Sequence, residues 1–126
     1  MRAVDTNVLV RLVVRDDARQ LAVAQAFVAG GVWVSHLVLA ETAWALQANY
    51  DFDAAALIDA LEMLLNHVRL TVQDSDAAAA ALVEFRKYPA VGFSDCLILE
   101  ATRKAGHLPL GTFDRPLARL QGVHEL

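Results

Sequence analysis

The sequence predicts an α/β protein with a parallel sheet covered by helices on both faces. Two observations carry this. Short apolar or β-branched runs alternate with helical patterns along the whole chain, the order that right-handed crossovers wind into parallel strands. The length, 126 residues, suits one compact domain with a real core, and no linker, repeat or long low-complexity segment divides it.

Five segments read as strands: Arg2–Val4, Val32–Ser35, Val68–Val72, Pro109–Thr112 and Val123–Glu125. After the first, Asp5-Thr6-Asn7 interrupts an apolar run. Val8–Val14 beyond it fits strand or buried helix, and its place after a polar turn favours helix. Helices are expected around Asp17–Ala29 and Asp76–Lys87. Another starts at an Asp53 N-cap, with Ala54, Ile58, Leu61 and Leu65 inward and Asp59, Glu62 and Asn66 opposite. The last long helix is expected to start at a Ser94 N-cap and end at Gly106. It would turn Leu97, Ile98 and Ala101 inward and Glu100, Arg103 and Lys104 outward.

Composition narrows the class. The chain is 56% hydrophobic, above the usual globular share, which suggests that some apolar surface covers a partner. A single cysteine, Cys96, rules out an internal disulfide and fits a reducing compartment. The first apolar run begins within three residues, which leaves no room for a secretory leader, so a cytoplasmic location is expected. Gln20–Ala40 lacks charge, yet its polar residues and the Gly30-Gly31 break read as helix, turn, strand rather than a membrane span. The net charge of −4 argues against non-specific adhesion to nucleic acid.

In parallel α/β sheets the strand ends and the following helix starts share one edge, where ligands bind. Asp5 follows the first strand, and Glu41 lies about a turn into the helix after the second. Asp95 occupies the first turn after Ser94, and Asp114 follows the strand ending at Thr112. Four carboxylates converging on one edge would repel one another, and a hard divalent cation resolves that conflict. Oxygen-only ligands without Cys or a His cluster point to Mg²⁺ or Mn²⁺ rather than zinc. With these four set aside, the remaining eleven acidic residues balance the eleven basic ones, so a polyanionic substrate is compatible with the acidic whole.

Each acid alone has an ordinary reading: Asp5 as an N-cap, Asp95 as favourable charge near a helix dipole, Asp114 as a turn residue. Only Glu41, among Val38, Leu39, Ala40 and Trp44, is poorly explained as a solvated face. Cys96 reads as a small core residue, Trp33 and Trp44 as core fillers, and the four histidines show no ligand spacing. Thr6 and Asn7 stabilise the turn or orient Asp5, and Thr112 stands in the same relation to Asp114. Arg11, Arg15 and Arg19 recur every four residues, as a solvated helical stripe or as phosphate contacts.

The ordered set DTNVLVR, LAET, FSD and GTFD resembles the PIN-domain ribonucleases, and most nearly the VapC-type toxins of bacterial toxin–antitoxin pairs. The resemblance spans the chain, 1–126, as a single PIN domain. It implies a three-layer fold with a roughly five-stranded parallel sheet and Mg²⁺- or Mn²⁺-dependent endonucleolytic cleavage of RNA by metal-activated water. Asp5, Glu41, Asp95 and Asp114 would be the metal-binding acidic quartet, with Asp5 and Asp95 the chief ligands. Thr112 matches the family's hydroxyl position and Asn7 its supporting amide. It further implies 5′-phosphate and 3′-hydroxyl products, a tRNA or rRNA substrate, a homodimer, and inhibition by a cognate antitoxin.

Three alternatives remain in view. A phospho-receiver domain shares the length and the acidic Mg²⁺ pocket, but it needs a lysine near the last strand and an acceptor for which only Asp74 is available. A phosphatase using Asp5 needs a second acid where Asn7 stands. A catalytically silent binding module on the same fold is the third alternative.

Overall fold

A computed structural model describes all residues, 1–126. The chain divides into two compact units, Met1–Ser75 and Asp76–Leu126. Both are helix-rich α/β structures with parallel strands flanked by helices. No helix is long and apolar enough to cross a membrane.

The first unit runs β1 (Arg2–Ala3), α1 (Thr6–Val14), α2 (Ala18–Val28), β2 (Val32–Val34), α3 (His36–Tyr50), α4 (Ala54–Leu65) and β3 (Leu70–Val72). The strands pair in sequence order, all parallel, with Ala3 opposite Trp33 and Trp33 opposite Thr71. Two helices connect each pair of neighbouring strands, and α1 packs against both α2 and α3. The doubtful Val8–Val14 segment is helical. Asp5 caps α1, Asp17 caps α2, Ser35 caps α3 and Asp53 caps α4, each accepting from a backbone N–H three residues on.

Three expectations are corrected in this unit. The buried stripe of α4 is Leu57, Ala60, Leu61 and Leu64, not the face of Ala54, Ile58 and Leu65. Nearly every side chain in AAALIDALEMLL is apolar, so two overlapping stripes satisfy the helical period and packing selects between them. Trp33 and Trp44 are exposed rather than core, at 39% and 65%. Trp33 is the middle residue of a three-residue strand whose flanking Val32 and Val34 take the buried face. The arginine stripe does not exist either, because Arg15 adopts the left-handed conformation that ends α1 and Arg19 belongs to α2. Arg11 pairs with Asp16 at 2.7 Å and donates to the Tyr50 hydroxyl at 2.6 Å.

The second unit contains α5 (Ser75–Lys87, its first residue at the boundary), α6 (Phe93–Ala105), β4 (Leu110–Thr112), α7 (Arg115–Ala118) and β5 (Val123–Glu125). β4 and β5 are parallel, with Gly111 opposite His124. The five expected strands are therefore present and parallel, in hydrogen-bonded ladders of three and two. Phe85 and Phe93, both fully buried, meet edge to face at 6.2 Å between ring centres.

Ser94 is not the N-cap of α6. Gly92 is, at φ 88°, a conformation that disfavours any side chain, and no side chain caps this helix. The inward face also differs: Cys96, Leu97, Leu99 and Glu100 are buried, while Ile98 is half exposed. Glu100 tolerates burial because Arg103 Nε donates to its Oε2 at 3.1 Å, and Arg103 also donates to the Gln121 carbonyl. Arg103→Met should leave that carboxylate without its charged partner and cost about 1–3 kcal/mol, read by urea unfolding. An unchanged midpoint would show that water serves Glu100 equally well.

Candidate metal centre and nuclease site

The sequence-selected acids fall two in each unit. In the first, Asp5 leaves β1 in extended conformation (φ −98°, ψ −176°), and its Oδ1 accepts from the Val8 N–H at 3.4 Å. Thr6, the first residue of α1, donates its hydroxyl proton to Glu41 Oε2 at 2.8 Å. Because α1 packs on α3, residues 35 apart in sequence meet here, and the chain neighbour of Asp5 holds Glu41 in place. Glu41 is exposed, so it is a solvated side chain held by one directed bond rather than a buried charge. Asn7 is also exposed and lines, with Asp5, Val8, Arg11 and Arg19, a groove of about 860 Å³.

In the second unit Asp95 stands half-buried in the first turn of α6. Burial, and next the negative charge of Asp114, raise its carboxyl above the usual aspartate range. The favourable helix dipole at this end would act in the opposite direction, so desolvation and repulsion outweigh it. Asp114 caps α7, its Oδ1 accepting from the Leu117 N–H at 3.3 Å, and the Asp114 N–H donates to Thr112 Oγ1 at 3.0 Å. Thr112 thus fixes the backbone that carries Asp114.

Asp5 is therefore a helix cap, as its ordinary reading requires, and Asp114, read from the sequence as a turn residue, is one as well, but each cap uses only one carboxylate oxygen. The second oxygen is left for a ligand. As the side chains stand, no three Asp, Glu, His or Cys residues are gathered closely enough to hold a metal ion. The donor chemistry nonetheless fits a hard cation: the four acids offer only oxygen, and Asp95 beside Asp114 carries the unrelieved repulsion that a cation removes. Cys96 contributes nothing to such a site. It is fully buried, and desolvation, with Glu84, Asp95 and Glu100 nearby, pushes its thiol up to about 12.

The model of the PIN domain family matches residues 2–123. The chain belongs to the PIN-domain family. Neither the curated proteins nor the solved structures searched gave a match. PIN domains are in general Mg²⁺-dependent nucleases, which places this PIN domain among metal-dependent hydrolases acting on nucleic acids. The receiver alternative loses its ground, since the family match is to a PIN domain and both lysines, Lys87 and Lys104, belong to the helices α5 and α6.

Sequence reasoning missed the Thr6–Glu41 bond. Thr6 was visible as a turn residue, but a partner 35 positions away on another helix leaves no local signal.

Proposed function

We propose that this PIN domain is an endoribonuclease of the VapC-type toxin class, cutting RNA phosphodiester bonds to 5′-phosphate and 3′-hydroxyl ends. The reading is carried by the family match over 2–123 together with the four acids in their family order, Asp5, Glu41, Asp95 and Asp114. On this reading residues 1–126 form one PIN domain. Asp5 and Asp95 are the chief ligands of Mg²⁺ or Mn²⁺, completed by Glu41 and Asp114. When bound, the cation lowers the pKa of a water and neutralises charge at the scissile phosphate.

The chain's own residues supply order. Thr6 restrains Glu41, and Thr112 restrains Asp114 through its backbone. Asn7, beside Asp5 on the groove, is the supporting amide. No other side chain of the set is a nucleophile: the only thiol, Cys96, is buried and protonated at neutral pH.

The toxin role adds a cytoplasmic location, a homodimer, a cognate antitoxin and a tRNA or rRNA substrate. Exposed Leu37 and Trp44 on α3, at 70% and 65%, support a protein partner. Sedimentation of the purified protein decides the dimer.

The direct test is cleavage of RNA by the purified protein. Cleavage is expected with Mn²⁺ or Mg²⁺, abolished by EDTA and by Asp5→Asn. Cleavage that survives both treatments overturns the metal site. Growth arrest on expression, relieved by a neighbouring small gene, is the expected sign of the toxin role; harmless expression of active enzyme counts against it.

A further inference from the structure

The GTFD segment contains a residue that neither the fold nor the acidic quartet uses. Phe113, between Thr112 and Asp114, is 81% exposed. A single exposed aromatic is ordinary on a protein surface. This one is distinguished by its setting. Thr112 is held in β4 opposite Glu125, and its carbonyl accepts from the Leu126 N–H at 2.8 Å. Asp114 is held as the cap of α7 and through its N–H to Thr112 Oγ1. Phe113 is thus the one-residue link between two anchored neighbours. Its backbone is fixed before any ligand arrives, while its ring stays in water.

The same short segment is basic. Arg115 and Arg119, four residues apart, line a cleft of about 400 Å³ with Ala118 and Glu125. Glu125 is the opposing charge there, 3.7 Å from Arg115 Nε, but both side chains are largely exposed (88% and 51%), so the pair exchanges easily for another anion. An exposed aromatic face beside paired guanidinium groups is the combination that binds single-stranded nucleic acid: bases stack on the ring and the backbone phosphates meet the cations.

We infer that Phe113 stacks on an unpaired base of the RNA next to the bond being cut, with Arg115 and Arg119 holding phosphates of the same strand. The inference rests on the nuclease reading, and it adds a specificity determinant to it. A base inside a duplex has no free face to offer, so Phe113 selects strands whose bases are splayed out.

The test is anisotropy of a fluorescein-labelled single-stranded oligoribonucleotide with the full chain in Ca²⁺, alongside cleavage in Mn²⁺. Phe113→Ala should weaken single-strand binding at least about tenfold, and Phe113→Leu, apolar but without a ring face, should do the same. Phe113→Trp should bind as the wild type does, and a duplex of the same sequence should not distinguish these proteins. Arg115→Gln and Arg119→Gln should each lower the salt dependence of binding, by about 0.7 in the log–log slope for each phosphate no longer neutralised. Wild-type affinity in Phe113→Leu, or an equal loss on duplex, overturns the inference. So does a wild-type protein that fails to bind the single strand. If the wild type binds with the expected dependence on the ring but does not cleave in Mn²⁺, the nuclease reading fails while the stacking role stands.

Discussion

Asp95→Asn should abolish metal-dependent cleavage, with a loss on the order of 10³-fold in kcat/KM, while making the metal-free protein more stable at neutral pH. The stability half follows from the raised carboxyl pKa. Burial and Asp114 lift Asp95 above its ordinary value of 3.8, so the folded protein binds a proton at pH values where the unfolded chain has released it. Between 3.8 and the raised value the native state holds more protons, and stability falls as pH climbs through that window. Asparagine carries no charge to desolvate and none to repel Asp114. Thermal unfolding in EDTA should therefore give Asp95→Asn the higher Tm at neutral pH, with the advantage shrinking as pH falls toward 3.8.

Adding Mn²⁺ reverses the comparison. Wild-type protein gains by mass action, about 2.7 kcal/mol at a hundredfold excess over Kd, and the variant gains less. A variant less stable than wild type at neutral pH without metal would mean that the helix dipole governs Asp95 and that its role is structural.

The largest effect on stability is expected at Phe85. Phe85→Ala removes a ring with no solvent exposure that meets Phe93 edge to face, and should cost about 3–5 kcal/mol by urea unfolding. Against a typical total of about 5–15 kcal/mol this leaves a marginal second unit. Phe93 opens α6 two residues before Asp95, so the loosened helix start should also lower cleavage. Phe85→Leu keeps most of the volume and should cost roughly 1.5 kcal/mol or slightly more. Equal losses from Ala and Leu would mean that the ring geometry, not the filled volume, matters.

Much of this architecture was legible in the sequence because its signals are local. Asp17 and Asp53 announce helix starts through oxygens that reach N–H groups three residues away, and Gly106 ends α6 at φ 84°, as a glycine after a periodic helix should. Asp5, Asp95 and Asp114 could be picked out because each follows a strand or opens a helix, and Glu41 because it stands alone among apolar neighbours. What failed depended on tertiary choice. Glu100 reads as a surface residue until Arg103 gives it a partner, itself steadied by the Gln121 carbonyl, and the α4 stripe is underdetermined when almost every residue is apolar. Trp33 misled for a different reason: size suggests burial, but strand alternation decided its face. Gly92 displaced Ser94 as cap because a backbone turn at φ 88° starts the helix without any side-chain oxygen.

The double use of Asp5 and Asp114 has a genetic consequence. Asparagine caps a helix about as well as aspartate, so either residue can lose its charge and leave α1 or α7 capped. The two codons differ by one transition at the first base. A lineage carrying this domain therefore stands one nucleotide from a well-folded protein that lacks one of the four carboxylates proposed to hold the cation but keeps its remaining surface. On the proposed reading, loss of catalysis by that route leaves no misfolded product for proteases to remove, and the inactive form persists.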